Sequence, residues 1–326
     1  MTWDWVHSAL QDGAVTVEIQ MLLQACQDHG LTRAVVRGAL RNDGWVFPAA
    51  TRAKSNALHR IFDPYRDVAG DPFKVKCSAS ELLTLYGVLR YVVAENVEQV
   101  PELAAHLLSF DAACEVLDII LAAKRGEVDI DQAAAALQAG LKRHMDLHRA
   151  AYGDGGIRPK HHWMQDIPAQ LVRDKMVLDT FVVERGHLKV KAVADGVDNT
   201  ARFERSVLAG VLNTSFGCLA SSPHALPGAT SLGEDLFVAK TMRVHGMNVA
   251  VGDLVGFGQK VGRVESCLAI TGTLCVAVES LRPVGHQELH WGCWSPAGDY
   301  EIWMAASLQL CLAWKPAENG CLLVLR

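Results

Sequence analysis

The chain has 326 residues, half of them hydrophobic and 21% charged, which excludes a disordered chain and leaves room for two or three domains with cores of their own. A net charge of −5 argues against a whole-protein electrostatic grip on nucleic acid but allows a local basic face. Nine scattered cysteines form no CxxC pair and repeat no metal-ligand spacing, so reduced thiols in an intracellular protein are expected. No n-region or apolar h-region of a signal peptide precedes Trp3-Asp4-Trp5. Charge interrupts every apolar run well short of a membrane span of roughly 20 residues, so no membrane partner is expected.

In chain order, a short strand or turn leads into a helix from about Val15 to His29, closed by Gly30. A weaker helix follows, with Gly38 inside it and a turn at Asn42-Asp43-Gly44. Trp45 to Lys76 carries Pro48, Pro64 and Pro72 and reads as loops around a short helix near Lys54–Phe62. Ser78 and Glu81 fit a capping box, which predicts a helix through Val97. Pro101 suits the first turn of the next helix, which runs to Lys124 and ends at Gly126. Asp129 or Asp131 then caps a helix ended by Gly153. These three long amphipathic helices are expected to pack as a bundle.

After the Gly153–Gly156 turn the pattern predicts a helix over about Ile167–Met176, an apolar extended piece Leu178–Val183, and a helix to about Ala194. Another helix is expected from a cap at Asn199 or Thr200. Asn213 to Gly233 is rich in Ser, Pro, Gly and Ala and reads as a linker. From Glu234 the period shifts towards two, and Gly-containing turns recur every ten or so residues, which suggests a small antiparallel barrel or sandwich.

The densest chemistry lies between Pro159 and Val211. Glu184, Arg185, His187, Lys189 and Lys191 fall within eight positions, a set that suits a metal ion beside a polyanion. The plainer alternative is a solvated carboxylate on a basic helix, with exposed ion pairs worth at most about 1 kcal/mol. Asp4 with His7 suits either a metal-ligand pair or a helix cap beside a surface histidine. His161 and His162 diverge in an extended segment, so one is expected packed and the other solvated. His144 and His148, at i and i+4 on a helix, could bind a metal, but no Glu or Cys stands at a matching position nearby, so a solvated face is expected. There is no GxxxxGK[ST], GxGxxG, HExxH or GxSxG motif, which removes most of the case for NTP-driven, dinucleotide, zinc-protease and serine-nucleophile chemistry.

Three segments together, Asp4-Trp5-Val6-His7, Pro159-Lys160-His161-His162-Trp163 and Phe181 to Lys191, resemble the C-terminal half of CACTA-type (Spm-like) DNA transposases and their transposon-derived relatives; the Asn199–Leu208 run is similar to sequences accompanying such elements. The resemblance covers roughly residues 1–215. It implies part of a ribonuclease-H-like core of the DDE type, which holds two metal ions on three carboxylates for phosphoryl transfer on DNA. Asp4 would be the second carboxylate and Glu184 the third, both as metal ligands (Mg²⁺ or Mn²⁺). Arg185, His187, Lys189 and Lys191 would face DNA, the implied partner, and the nucleus joins the expected intracellular locations.

The chain departs from that pattern in three places. Val6 stands where the family has methionine, Gly186 weakens the helix after Glu184, and the first Asp would lie upstream of Met1. A truncated or decayed, catalytically silent copy is therefore expected. The expected class is α+β: a helical, insertion-like region over 1–155, a core remnant with the Glu184 helix over 156–214, a linker over 215–233 and a small β-barrel over 234–326. Trp291, Trp294, Trp303 and Trp314 are candidate stacking platforms in that barrel, though core filling is the commoner use of such residues. The rival from another class is a non-enzymatic nucleic-acid or protein scaffold, and a metallohydrolase built on Asp4, His7 and His161 or His162 is a third reading.

Overall fold

In the computed structural model, Ser78 opens helix α4 (Ala79–Val97) with a reciprocal cap: its hydroxyl accepts the Glu81 N–H, and the Glu81 carboxylate accepts the Ser78 N–H at 2.8 Å. The structure describes residues 4–55, 57–63, 74–178, 190–191, 193–197, 202–220, 226–233, 235–244 and 247–325. It is α+β, with helices first and a curled antiparallel sheet after them. By contact the chain divides into a helical unit, Met1–Asp43 with Lys54–Phe181, and a second unit, Gly44–Ala53 with Val182–Arg326.

The helical unit begins with a wide turn, Val6–Leu10, and α1 (Ala14–Cys26), which ends through a tight turn at Gly30 in the left-handed region (φ 92°). Thr32 caps α2 (Arg33–Asn42) by accepting the Val35 N–H. Helix α5 (Ala104–Arg125) follows the Pro101 turn, and Asp129 caps α6 (Ile130–Tyr152) by accepting from the Asp131 and Gln132 amides. Two short helices, α7 (Pro159–Gln165) and α8 (Ile167–Asp174), complete the unit. α5 packs along α6, α1 packs on α5, and α8 packs on α6.

Helix α4 is apolar on more than one face and buries Leu82, Leu85, Val88, Leu89 and Val92, so it runs through the interior. Each such leucine contributes roughly 1.5–3 kcal/mol. Arg90 on the same helix is buried, and its guanidinium is held by Asp111 and Asp118 of α5; Asp118 also accepts the Tyr86 hydroxyl at 2.8 Å. This joins α4 to α5 with every arm of the fork satisfied by a carboxylate.

In the second unit, α3 (Ala49–Ser55) sits beside Asp253, whose buried carboxylate accepts the Ala49 N–H at 3.1 Å and pairs with Arg52. Helix α9 (Phe203–Ala220) continues past Asn213, where a linker was expected from composition. The sheet comprises β1 (Thr230–Ser231), β2 (Leu236–Ala239), β5 (Leu254–Phe257), β6 (Lys260–Ile270), β7 (Thr273–Gln287), β8 (Trp291–Met304), β9 (Gln309–Leu310), β10 (Ala313–Pro316) and β11 (Leu322–Leu325), and a separate hairpin is formed by β3 (Thr241–Val244) and β4 (Met247–Ala250). The order is β1-β2-β6-β7-β8-β11-β10, antiparallel throughout, with β5 pairing β6 and β9.

Register shifts at Val264/Ser266, Glu279/Leu281 and Val284/Gln287 bend the three long strands and curl the sheet. The curl does not close. The expected barrel is a half-barrel, because among the described residues the end strands β1 and β10 are not paired with each other. The free side of β10 is covered by Val46, which exchanges backbone hydrogen bonds with Trp314. Trp303 packs in one hydrophobic cluster with Val276 and Val278, and Trp294 and Trp314 pack in a second, so these three fill the interior.

Candidate metal centre

Apart from Thr16, the buried positions of α1 (Ala14, Val15, Glu18, Ile19, Leu22, Leu23 and Cys26) recur at the three- and four-residue spacing of an inward stripe. One of them is a carboxylate. On α6 the stripe runs through Leu137, Leu141, His144, Met145 and His148, so the two histidines continue the leucine row into the core. The solvated face expected for this pair is thus overturned: His144 is 4% exposed, His148 and Glu18 are 0% exposed. Packing supplies the missing carboxylate from the far end of the unit's sequence.

Glu18 Oε2 lies 2.6 Å from His148 Nδ1 and 3.1 Å from His144 Nε2. One ligating atom from each residue lies within 4.8 Å of the others, and among the described residues this is the metal-competent group of three. Burial pushes the Glu18 carboxyl upward, but the hydrogen bonds and charges of His144 and His148 outweigh it and hold the group at about 2, ionised. His161, from the first turn of α7, brings a third imidazole, its ring centroid 5.1 Å from that of His148 and 6.3 Å from that of His144. His161 is 2% exposed and its neighbour His162 faces outward; the packed-and-solvated split expected for this pair is produced by a helix and not by an extended segment. Burial, followed by the His148 and His144 charges, lowers His161 to about 4, so it is neutral.

The surroundings are equally closed. Tyr152 contacts His148 ring to ring at 4.9 Å and His106 at 5.0 Å; burial, the Glu18 charge and a hydrogen bond to the Glu18 side chain push its phenol far above the usual range, so it keeps its proton. A Cβ at Gly156 would sit 2.7 Å from both His148 Nε2 and Met21 Sδ, so glycine is the residue that lets the post-α6 turn cover the histidine. Two buried imidazole nitrogens at the cluster, His148 Nε2 and His161 Nε2, have no hydrogen-bond partner. Each such orphan costs on the order of 1–3 kcal/mol, so two side by side in a closed core call for an explanation.

No family model, curated protein or solved structure matches the chain. Its chemistry therefore rests on its own geometry.

Of the residues named from sequence, Asp4 accepts the Val6 and His7 amides at 3.2 and 3.1 Å and contacts the His7 ring, so it acts as the cap of the first helical turn. It is not part of the Glu18 cluster. Glu184, Arg185, His187 and Lys189 lie outside the described residues, and Lys191 is exposed on a helical turn. The sequence reading missed Glu18, although the signal was there: a carboxylate in the middle of the apolar stripe of α1.

Proposed function

We propose that the helical unit is a metal-binding unit whose centre is Glu18, His144 and His148. The observation that carries this is the convergence of a carboxylate and two imidazoles, from helices far apart in sequence, at one fully buried point where His148 Nε2 and His161 Nε2 have no partner. Two imidazole nitrogens and one carboxylate oxygen suit a first-row transition metal (iron, manganese, cobalt or zinc), since Mg²⁺ and Ca²⁺ prefer all-oxygen sets. Three protein ligands leave coordination positions open, which is the arrangement of a reactive centre and not of a closed structural one. The reaction classes that follow are activation of metal-bound water or of dioxygen.

Metal analysis of the purified full chain tests this. One equivalent of a transition metal is expected, with loss of that equivalent in both Glu18→Gln and His148→Gln. Protein that carries no stoichiometric metal and takes up none of Fe²⁺, Mn²⁺ or Zn²⁺ on titration would sink the reading.

The transposase-like reading, with a ribonuclease-H-like remnant over 156–214, Mg²⁺ or Mn²⁺ on Asp4 and Glu184, and DNA as partner, is carried by sequence motifs alone. Its check is Mg²⁺-dependent nicking of DNA that Glu184→Gln abolishes.

A further inference from the structure

His161 is placed as if to be a third imidazole ligand, but its hydrogen bonding argues otherwise. The Arg158 backbone N–H points at His161 Nδ1 over 3.1 Å, the reciprocal contact that starts α7. A ring nitrogen that accepts an N–H carries no proton, so the proton of the neutral imidazole is on Nε2. A protonated nitrogen has no lone pair for a metal. Its N–H is a donor, and in this structure it is buried with no acceptor. A buried donor left unmatched is costly, and backbone geometry, not a neighbouring carboxylate, sets this tautomer.

Resting on the metal reading above, we infer that His161 is the hydrogen-bond donor to a small anion bound at the open position of the metal. The Nε2–H is the group such a site needs: a neutral donor next to the two ligand rings, unable to compete for the metal and unable to be satisfied by the protein. The occupant is small because the surroundings are packed. Glu18, His148 and His161 are all within 2% of full burial, and the Gly156 turn with Met21 closes over His148. Hydroxide, left when a metal-bound water gives up its proton to bulk solvent, would be the resting occupant, and linear or diatomic anions are the class that can replace it. His161 is accordingly a positioning residue for the metal's exogenous ligand.

The test uses the full chain loaded with Co²⁺, whose visible bands report the ligand set, and azide as the probe anion. Azide is expected to shift the bands saturably in the wild type. His161→Met, which keeps bulk but removes the donor, should retain one equivalent of Co²⁺ and bind azide on the order of ten- to a hundredfold more weakly, as loss of a hydrogen bond to a charged ligand predicts. His161→Gln, which restores an N–H at similar reach, should recover most of the affinity. The inference is overturned if loaded wild type does not respond to azide, if His161→Met binds azide as tightly as wild type, or if it loses the metal, which would make His161 a ligand. Should His161→Met not fold, the wild-type response and the His161→Gln affinity decide the matter, a silent wild type or a Gln variant with no azide affinity counting against it. A wild type that takes up no Co²⁺ would instead defeat the metal reading itself.

Discussion

Glu18 at a core position is unfavourable unless partners compensate its charge, and the two histidines of α6 do so at 2.6 and 3.1 Å. The pH dependence of the metal-free protein follows from this. Glu18 is held at about 2, below its unfolded value, so the unfolded chain binds the extra proton between about 4.5 and 2, and stability falls as pH drops through that window. His161, lowered to about 4, stays neutral where an unfolded histidine charges, so stability also falls from about 6.5 to 4. Urea unfolding of the metal-free chain should therefore show stability dropping by a few kcal/mol from pH 7 to pH 4, and a profile flat over that range would contradict the buried, neutral state of His161. Gly156 offers a steric probe. Gly156→Ala drives a methyl against His148 Nε2 and Met21 Sδ, costing about 1–3 kcal/mol and lowering metal affinity. Gly155→Ala is the control, because nothing lies within 4 Å of its added Cβ, and equal losses in the two variants would show that the turn, not the contact with His148, matters.

The elements themselves were largely legible. The Ser78–Glu81 cap, the Pro101 start, and the Gly126 and Gly153 stops are local signals whose physical causes lie within a turn of the chain, and the helices begin and end at them. The two-residue loop between β6 and β7 is equally local: Thr271 (φ 48°) and Gly272 (φ 78°) are both in the left-handed region, the geometry that matches the twist of a hairpin. A β-branched residue is strained there. Thr271→Asn should stabilise the sheet unit by up to about 1 kcal/mol in chemical denaturation, while Thr271→Val should not. What the period-two pattern did not reveal was closure. Whether a curled sheet becomes a barrel depends on whether its end strands meet, and a two-residue β1 and a β10 covered by Val46 are outcomes of pairing between distant segments.

At the level of the whole chain, each unit has its own core, and among the described residues no helix is long and apolar enough to cross a membrane. A metal bound only by the native helical unit stabilises that unit by mass action, about 2.7 kcal/mol at a hundredfold excess over Kd. The helical far-UV signal should accordingly melt at higher temperature in the metal-loaded chain, and a chelator should reverse the shift; unchanged melting on chelation would mean that no metal is coupled to this fold.

By itself, the sequence determined where the long helices and the strand-rich region lie and where several elements start and stop, but not the short helix over Pro159–Gln165 or the run of α9 past Asn213. What it determined follows from interactions within one or two turns or from the burial period of a single element. Only the tertiary structure decided that Glu18 meets His144 and His148, 126 and 130 residues later, and that the His161 ring packs beside theirs. Periodicity tells which face of a helix is inward, but which inward side chains share a point is set by how helices pack, and that register is written in no single stretch of the chain.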